Sequence, residues 1–319
     1  MKDPRVERTK LYPLQEILFV LLCGSTCGAE SWRDFVMFGQ EKLDFLREYF
    51  PFSAGIPCKN TFARVYAALE PEQFRSCFVA WAASLKRVPG EVIAIDGKTL
   101  CNSADAGAAA IHMVGAFATD SRLVLAQQKV AEKSNEITAI AALLDLLDVK
   151  GHTVTIDAMG CQRSIAKKIR DKGADYVFAL KGNQGTLNDD VRLFLQTEAA
   201  KPGSVAISDI WSEADAGHGR VELRRCLVSD QLDWLTQKPE WSGLRSIAML
   251  EETRDINGKI SCDRRFFISS LPANARQIAT AVRAHWAAKK HFKGIGIKAL
   301  RKKAGWGNDN LRLILMKNF

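Results

Sequence analysis

The pattern of apolar and polar positions divides the chain into a helical part followed by a part in which strands and helices alternate. Residues 1–87 carry apolar side chains at helical spacing, and short loops with proline separate the segments. From Glu91 onward, short runs rich in β-branched residues predict strands. Amphipathic segments between these runs predict helices, over 135–147, 161–172 and 186–199. We therefore expect an α/β protein preceded by a helical domain.

The order of the predicted elements indicates a particular sheet. A strand over 92–95 precedes a hairpin of strands 111–119 and 122–130. A helix, a strand ending at Asp157, a second helix and a strand over 175–180 complete the order. This order is typical of a ribonuclease-H-like mixed sheet, in which the first and fourth strands are neighbours.

A β-rich segment then interrupts the alternation. Strands are predicted over 205–211, 220–228, 244–252 and 259–269, and a helix over 273–288. The segment is interpreted as an insertion into the sheet or an extension of it. The predicted domains are a helical, DNA-binding domain at 1–88, a ribonuclease-H-like catalytic core at 89–200, the β-rich insertion at 201–272, and a helix with a basic tail at 273–319.

Two of the predicted strands run directly into an aspartate. Asp96 follows Val92–Ile95, and Asp157 follows Thr153–Ile156. Each acid has a structural alternative, since Asp96 could open a turn and Asp157 could cap the next helix. Because both stand at the end of a strand in one predicted sheet, we favour a paired-carboxylate site that holds a divalent metal.

The positive charge of the chain lies at one end. The net charge is +9, and residues 283–319 hold ten Lys or Arg and one acid, Asp309, so residues 1–282 are neutral. Such a segment either contacts a polyanion or is solvated without a ligand. Lys181, Asn183 and Gln184 follow another strand, where they would contact a phosphate or form a turn. The N-terminal helices fit a helix-turn-helix DNA reader or any small helical bundle.

No targeting or membrane segment is expected. The first ten residues are charged and lack a cleavage site after them, and the apolar run 17–23 is too short to span a bilayer. The eight cysteines include no CxxC pair, which favours reduced thiols. The prediction is a cytoplasmic protein without a membrane partner.

Longer strings identify a family. I-D-G-K-T at 95–99, K-S-N-E-I-T-A-I at 133–140, T-I-D-A-M-G-C-Q at 155–162 and D-Y-V-F-A-L-K-G-N-Q at 175–184 resemble DDE insertion-sequence transposases of the H-repeat-associated (ISAs) group. The resemblance covers nearly the whole chain. It implies cutting and joining of transposon ends with Mg²⁺ or Mn²⁺, with Asp96 and Asp157 as the first two catalytic, metal-binding acids. It also implies double-stranded DNA as partner, with a homodimer as the assembly considered. The residues predicted to contact DNA are Lys98, Lys181, Asn183, Gln184, Lys298, Arg301, Lys302 and Lys303.

One position departs from the family pattern. In the family a glutamate follows the H-W pair by three residues, whereas here Lys289 follows His285-Trp286. The text from Lys293 onward resembles the extreme C-terminus of the family, so an internal deletion explains the loss of the glutamate. We therefore predict a catalytically impaired transposase. The alternatives are a non-catalytic protein that recognises element ends and an unrelated metal-dependent phosphohydrolase.

Overall fold

The computed structural model describes residues 2–29, 31–85, 87–99, 112–130, 136–217, 220–256 and 258–299, with the backbone alone over 290–299. By their contacts, residues 1–85 group in one compact unit, and residues 86–99 and 111–290 group in another. The described helices include none long and apolar enough to cross a membrane.

The N-terminal unit is built from helices around one apolar core. Its helices are α1 (Leu14–Thr26), α2 (Trp32–Glu41), α3 (Leu43–Arg47), α4 (Lys59–Ala68) and α5 (Pro71–Ser84). Ile17, Leu21, Phe35 and Phe62 are buried between them. Ser31 and Asp34 form a capping box at the start of α2.

Two details of this unit differ from the sequence prediction. The amphipathic segment 30–49 of the sequence does not form one long helix, because it is interrupted at Lys42 between α2 and α3. The segment 48–58 separates α3 from α4. A helix-turn-helix motif has a turn of about 3–4 residues before its second helix, which this connection exceeds.

The described strands of the second unit form one mixed sheet of nine strands. They are β1 (Val92–Thr99), β2 (His112–Ala118), β3 (Leu123–Val130), β4 (Thr153–Ile156), β5 (Asp175–Leu180), β6 (Asp209–Gly217), β7 (Arg220–Ser229), β8 (Ser246–Ile256) and β9 (Lys259–Ser269). Their order is β3-β2-β1-β4-β5-β9-β8-β7-β6. β1, β4 and β5 run parallel, and β2 and β3 are antiparallel beside them. The predicted ribonuclease-H-like order, with β1 next to β4, is confirmed.

The β-rich segment extends this sheet through an antiparallel pairing of β9 with β5. β6 begins at Asp209, so the strand predicted over 205–211 was largely wrong. The polar run 212–217 does not look like a buried strand. It pairs with β7, however, and Glu213 lies 3.9 Å from Arg224 there.

Helices cover both faces of the sheet. They are α6 (Glu136–Leu146), α7 (Arg163–Asp171), α8 (Gly185–Ala199) and α9 (Ala275–Ala299). Ile278 and Val282 of α9 pack on Val92, Val177 and Phe267. Because side chains alternate along a strand, Asp96 and Lys98 lie on the same face of β1 as Val92, the face that α9 covers.

Candidate active site

Asp96 and Asp157 meet where the parallel pairing of β1 and β4 stops. The last paired residues are Ile95 and Ile156, and each aspartate is the next residue in its strand direction. β1 itself continues to Thr99 by pairing with β2, so Asp96 lies inside a strand and is buried. The register therefore brings both carboxylates to one place on the sheet.

Lys289 of α9 lies between the two carboxylates. Its Nζ is 3.1 Å from Oδ1 of Asp96 and 3.6 Å from Oδ2 of Asp157. Those oxygens are therefore at most 6.7 Å apart, the sum of the two distances. The prediction that the two acids are neighbours is confirmed. Burial alone would lower the pKa of Lys289, but the charges of Asp96 and then Asp157 outweigh it and raise the pKa.

A second lysine approaches Asp96 from its own strand. Lys98 Nζ lies 3.7 Å from Oδ2 of Asp96 and donates a hydrogen bond of 2.7 Å to the backbone carbonyl of Lys289. Only 1% of the Asp96 side chain is exposed, and of the two lysines only Lys289, at 3.1 Å, lies within hydrogen-bond distance of its carboxylate. Two ammonium groups therefore balance the charge of this buried carboxylate.

Asp157 combines the two roles that its sequence position allowed. Its Oδ1 accepts a hydrogen bond of 3.2 Å from the backbone N–H of Met159, so it caps the 3-10 turn Ala158–Gly160. Its Oδ2 faces Lys289. The capping alternative and the site alternative are therefore compatible, because they use different oxygens.

His285 stands one helical turn before Lys289 and is 6% exposed. Its Nδ1 lies 3.1 Å from the hydroxyl oxygen of Thr155 on β4. Burial lowers the pKa of His285, and the Asp96 charge opposes that shift only in part. The imidazole is accordingly neutral near pH 7.

A third carboxylate, which the sequence analysis did not single out, lies on the opposite face of β1. Glu136, at the start of α6, has its Oε2 3.4 Å from Nε2 of His112. A Cβ added to Gly97 would fall 1.8 Å from Oε1 of Glu136, so only glycine leaves room for that carboxylate. Burial, and then the charges of Asp157 and Asp96, raise the pKa of Glu136, while His112 lowers it. In the sequence, the only sign of these two residues was that the family-like segments 95–99 and 133–140 contain them.

A cavity of about 720 Å³ opens beside the acids on the α9 face. Its apolar wall includes Val177 and Phe267. Its cationic lining residues are Lys181, Arg192, Arg264, Arg265 and Lys289. The guanidinium of Arg265 stacks 4.7 Å from the ring centre of Trp286. A polyanion is the class of ligand that this lining favours.

The chain matches two models of one family. Residues 1–82 match the DDE_Tnp_1-associated domain, and residues 87–295 match the transposase DDE domain. The chain belongs to the DDE transposases. The family's function is DNA transposition, and its members require a divalent metal ion.

Two relatives are similar to this transposase over most of its length. An uncharacterized protein in the dhlA 3' region of Xanthobacter autotrophicus is 44% identical over 278 residues, 85% of this chain and 92% of the relative. H repeat-associated putative transposase YhhI of Escherichia coli (strain K12) is 41% identical over 283 residues, 86% of this chain and 74% of the relative. A solved piggyBac transposase synaptic complex with hairpin DNA has a TM-score of 0.46 and 9% identity, covers 98% of this chain and 68% of its own, and supports no conclusion here.

The residues around the acid pair of this transposase do not fit a pair of divalent metals. Such ions need several oxygen ligands at about 2.0–2.1 Å. Asp96 and Asp157 supply oxygens, but the ammonium of Lys289 stands within 3.6 Å of both carboxylates. The described part of the chain contains no group of three His, Cys, Asp or Glu side chains with the geometry of a metal site. Position 289 therefore carries a cation, whereas a metal bound between the two aspartates would need an anionic ligand there.

The residues of the transposase that were predicted to contact DNA differ in their exposure and in their hydrogen bonds. Lys181 is exposed and lines the cavity. Asn183 donates a 2.6 Å hydrogen bond to the carbonyl of Ala158, and Gln184 donates one to the carbonyl of Cys161. These amides therefore hold the turn that follows Asp157, while Gly182–Gln184 itself forms a 3-10 turn before α8. The side chain of Lys298 and residues Arg301, Lys302 and Lys303 lie outside the described residues.

Proposed function

We propose that this chain is a catalytically impaired DDE transposase, which does not cut or join the ends of an insertion sequence by itself. The observation that carries the proposal is the ammonium of Lys289, 3.1 Å from Asp96 and 3.6 Å from Asp157. Asp96 and Asp157 are then the first two catalytic, metal-binding acids of the family, and Lys289 stands at the third position. The internal deletion that removed the glutamate is part of the same proposal.

Charge balance supports the loss of cleavage. Two divalent ions bring four positive charges, and the two aspartates supply two negative ones. Lys289 removes the third carboxylate and adds a further positive charge. Like charges about 4 Å apart interact unfavourably by several kcal/mol at an effective dielectric constant of about 20. Mg²⁺, or Mn²⁺ in its place, should therefore bind weakly in this chain.

The test is strand cleavage in purified protein. Duplex DNA bearing the element's inverted repeats is incubated with the full chain and Mg²⁺ or Mn²⁺, and nicked or joined strands are separated by electrophoresis. The proposal predicts no end-specific product. End-specific cleavage that is lost in Asp96→Ala would contradict it, because another group would then have taken the place of the missing glutamate.

The same observation favours a second candidate function, which is end recognition without catalysis. Double-stranded DNA is the proposed partner, and a homodimer stays a prediction. The proposed location is the cytoplasm, where a bacterial element's DNA lies. Lys181 and the basic tail are the proposed contacts, because Lys98, Asn183 and Gln184, which the sequence also suggested, donate hydrogen bonds to backbone carbonyls of the protein.

The salt dependence of DNA affinity tests whether the basic tail contacts DNA. Each phosphate contact adds about 0.9 to the slope of log affinity against log salt concentration on duplex DNA. Replacing Lys298, Arg301, Lys302 and Lys303 by glutamine should lower that slope by up to about 3.6 if each contacts one phosphate. Equal slopes for the two proteins would exclude the tail as the DNA contact.

A further inference from the structure

The turn of α9 that carries Lys289 is attached to the sheet differently from the rest of the helix. Ile278 and Val282 pack in the apolar cluster on the sheet. His285 and Lys289, four residues apart on one side of the helix, make polar contacts instead. Burying a polar group costs free energy unless the group is hydrogen-bonded. Apolar side chains could attach this turn to the sheet without that cost.

The first polar contact joins this turn to β4. Nδ1 of His285 lies 3.1 Å from the hydroxyl of Thr155, and both residues are buried. Thr155 precedes Asp157 by two residues, so its side chain leaves the same face of the strand. The contact therefore ties α9 to the strand that carries Asp157.

The second polar contact joins the same turn to β1. Lys98 donates a 2.7 Å hydrogen bond to the backbone carbonyl of Lys289. Lys98 follows Asp96 by two residues and likewise leaves the same face of its strand. The bond acts on the backbone at position 289, so it does not depend on which side chain stands there.

We propose that His285 and Lys98 are positioning residues, which together fix the turn 285–289 of α9 over β1 and β4. Two anchors on two strands set both the rotation of the helix and its position along its axis. Whatever side chain occupies position 289 is then delivered between Asp96 and Asp157. The inference rests on the proposed function in taking position 289 as the third position of the acid site. It implies that this chain lost the side chain but kept the backbone placement.

The experiment restores a carboxylate and then removes each anchor. Full-length Lys289→Glu is titrated with Mn²⁺ by calorimetry, with Lys289→Gln as the matched control that removes the ammonium without adding an acid. We expect Mn²⁺ to bind Lys289→Glu at least about tenfold more tightly than the control, which corresponds to about 1.4 kcal/mol. Equal affinities would overturn the inference, because position 289 would not reach the acids. That result would leave the cleavage test of the wild-type chain untouched.

The anchors are tested in the Lys289→Glu chain. Thr155→Val removes the hydroxyl that His285 contacts with little change in volume, and Lys98→Met removes the donor to the backbone carbonyl. Each should weaken Mn²⁺ binding about tenfold or more, since misplacement of a group by about 1 Å can cost about a hundredfold in function. Unfolding curves without metal confirm that each variant is folded.

Lys98→Met separates positioning from simple electrostatics. Removing a cation 3.7 Å from Asp96 should by itself tighten the binding of another cation. Loss of the anchor should weaken it. Tighter or unchanged Mn²⁺ binding in Lys98→Met, or unchanged binding in Thr155→Val, would overturn the role of that residue.

Discussion

Asp96 and Glu222 are both nearly inaccessible carboxylates on one sheet, yet their surroundings differ. Glu222 on β7 accepts hydrogen bonds from Arg224 and, at 3.1 Å, from Arg254, and Arg220 lies 2.9 Å away. Asp96 on β1 instead faces two ammonium groups, with Lys289 Nζ 3.1 Å from Oδ1 and Lys98 Nζ 3.7 Å from Oδ2.

The difference distinguishes a structural carboxylate from a functional one. Guanidinium groups present several donors in a fixed fork, so a ring of arginines can satisfy both oxygens of Glu222 and hold the long strands together. The oxygens of Asp96 are left open in the direction of a cation. In this chain the cation is Lys289, whose one ammonium group lies 3.1 Å from Oδ1 of Asp96.

The largest expected effect is on Glu222. Glu222→Gln should lower the free energy of unfolding by about 2–3 kcal/mol, because a neutral amide replaces the carboxylate that pairs with Arg224 and Arg254, although Glu252 still pairs with both. Denaturant unfolding at neutral pH measures the loss. Glu251→Gln on β8 is the matched control, since Glu251 pairs with Arg264 at a more exposed position, and it should cost under about 1 kcal/mol. Equal losses would remove the contrast between the two carboxylates.

A smaller loss is expected at Gly97. Gly97→Ala places a Cβ within 1.8 Å of the Glu136 carboxylate, so it should destabilise the chain by about 1–3 kcal/mol. In the Glu136→Ala background the same change should cost markedly less, because the two residues are in direct contact. A double-mutant cycle of unfolding free energies checks this. Additive losses would show that Glu136 does not occupy the space beside Gly97.

The effect of Asp96→Asn should be smaller again. The change removes the cost of burying the Asp96 charge, and it also removes the ion pairs with Lys98 and Lys289. These terms oppose each other, so we expect the free energy of unfolding to change by no more than about 1 kcal/mol. The same denaturant curves provide the value. A loss as large as that of Glu222→Gln would mean that Asp96 is a structural residue.

The smallest effect concerns pH. The pKa of His285 is lowered in the folded protein, so below about pH 6.5 the unfolded chain takes up a proton that the folded chain does not. His285 therefore makes stability fall as pH falls from about 6.5 toward its folded pKa, by at most about 1.4 kcal/mol per pH unit. His285→Asn should reduce this slope in thermal unfolding measured across that range. An unchanged slope would assign the acid sensitivity to other groups.

The parts of the fold that the sequence predicts well are those with a local signal. The unbroken apolar run before Asp96 and the β-branched run before Asp157 predict buried strands, and both are present as parallel neighbours. β6 was misplaced because its residues 212–217 gain their strand pairing from β7 and their charge partners from distant segments. Long-range pairing of this kind leaves little trace in local periodicity.

The residues of the candidate site, too, were predictable from the sequence only where it carries a local signal. Lys289 was identified because it departs from a pattern of fixed spacing, and its contacts with both aspartates follow from the fold. Glu136 and His285 were not singled out as part of the site. Glutamate is common at the start of a helix, and a histidine on the apolar face of a helix is usually a core residue, so neither position indicated a site. Their contacts with Gly97 and Thr155 come from different strands.

The central claim is that the ammonium of Lys289 takes the place of the metal between Asp96 and Asp157. Mn²⁺ binding to the wild-type full chain, followed by electron paramagnetic resonance beside Asp96→Asn, tests it most directly. The account predicts that the two proteins bind Mn²⁺ alike, because neither holds a metal at this position. A Mn²⁺ site in the wild-type chain that Asp96→Asn abolishes would contradict the claim.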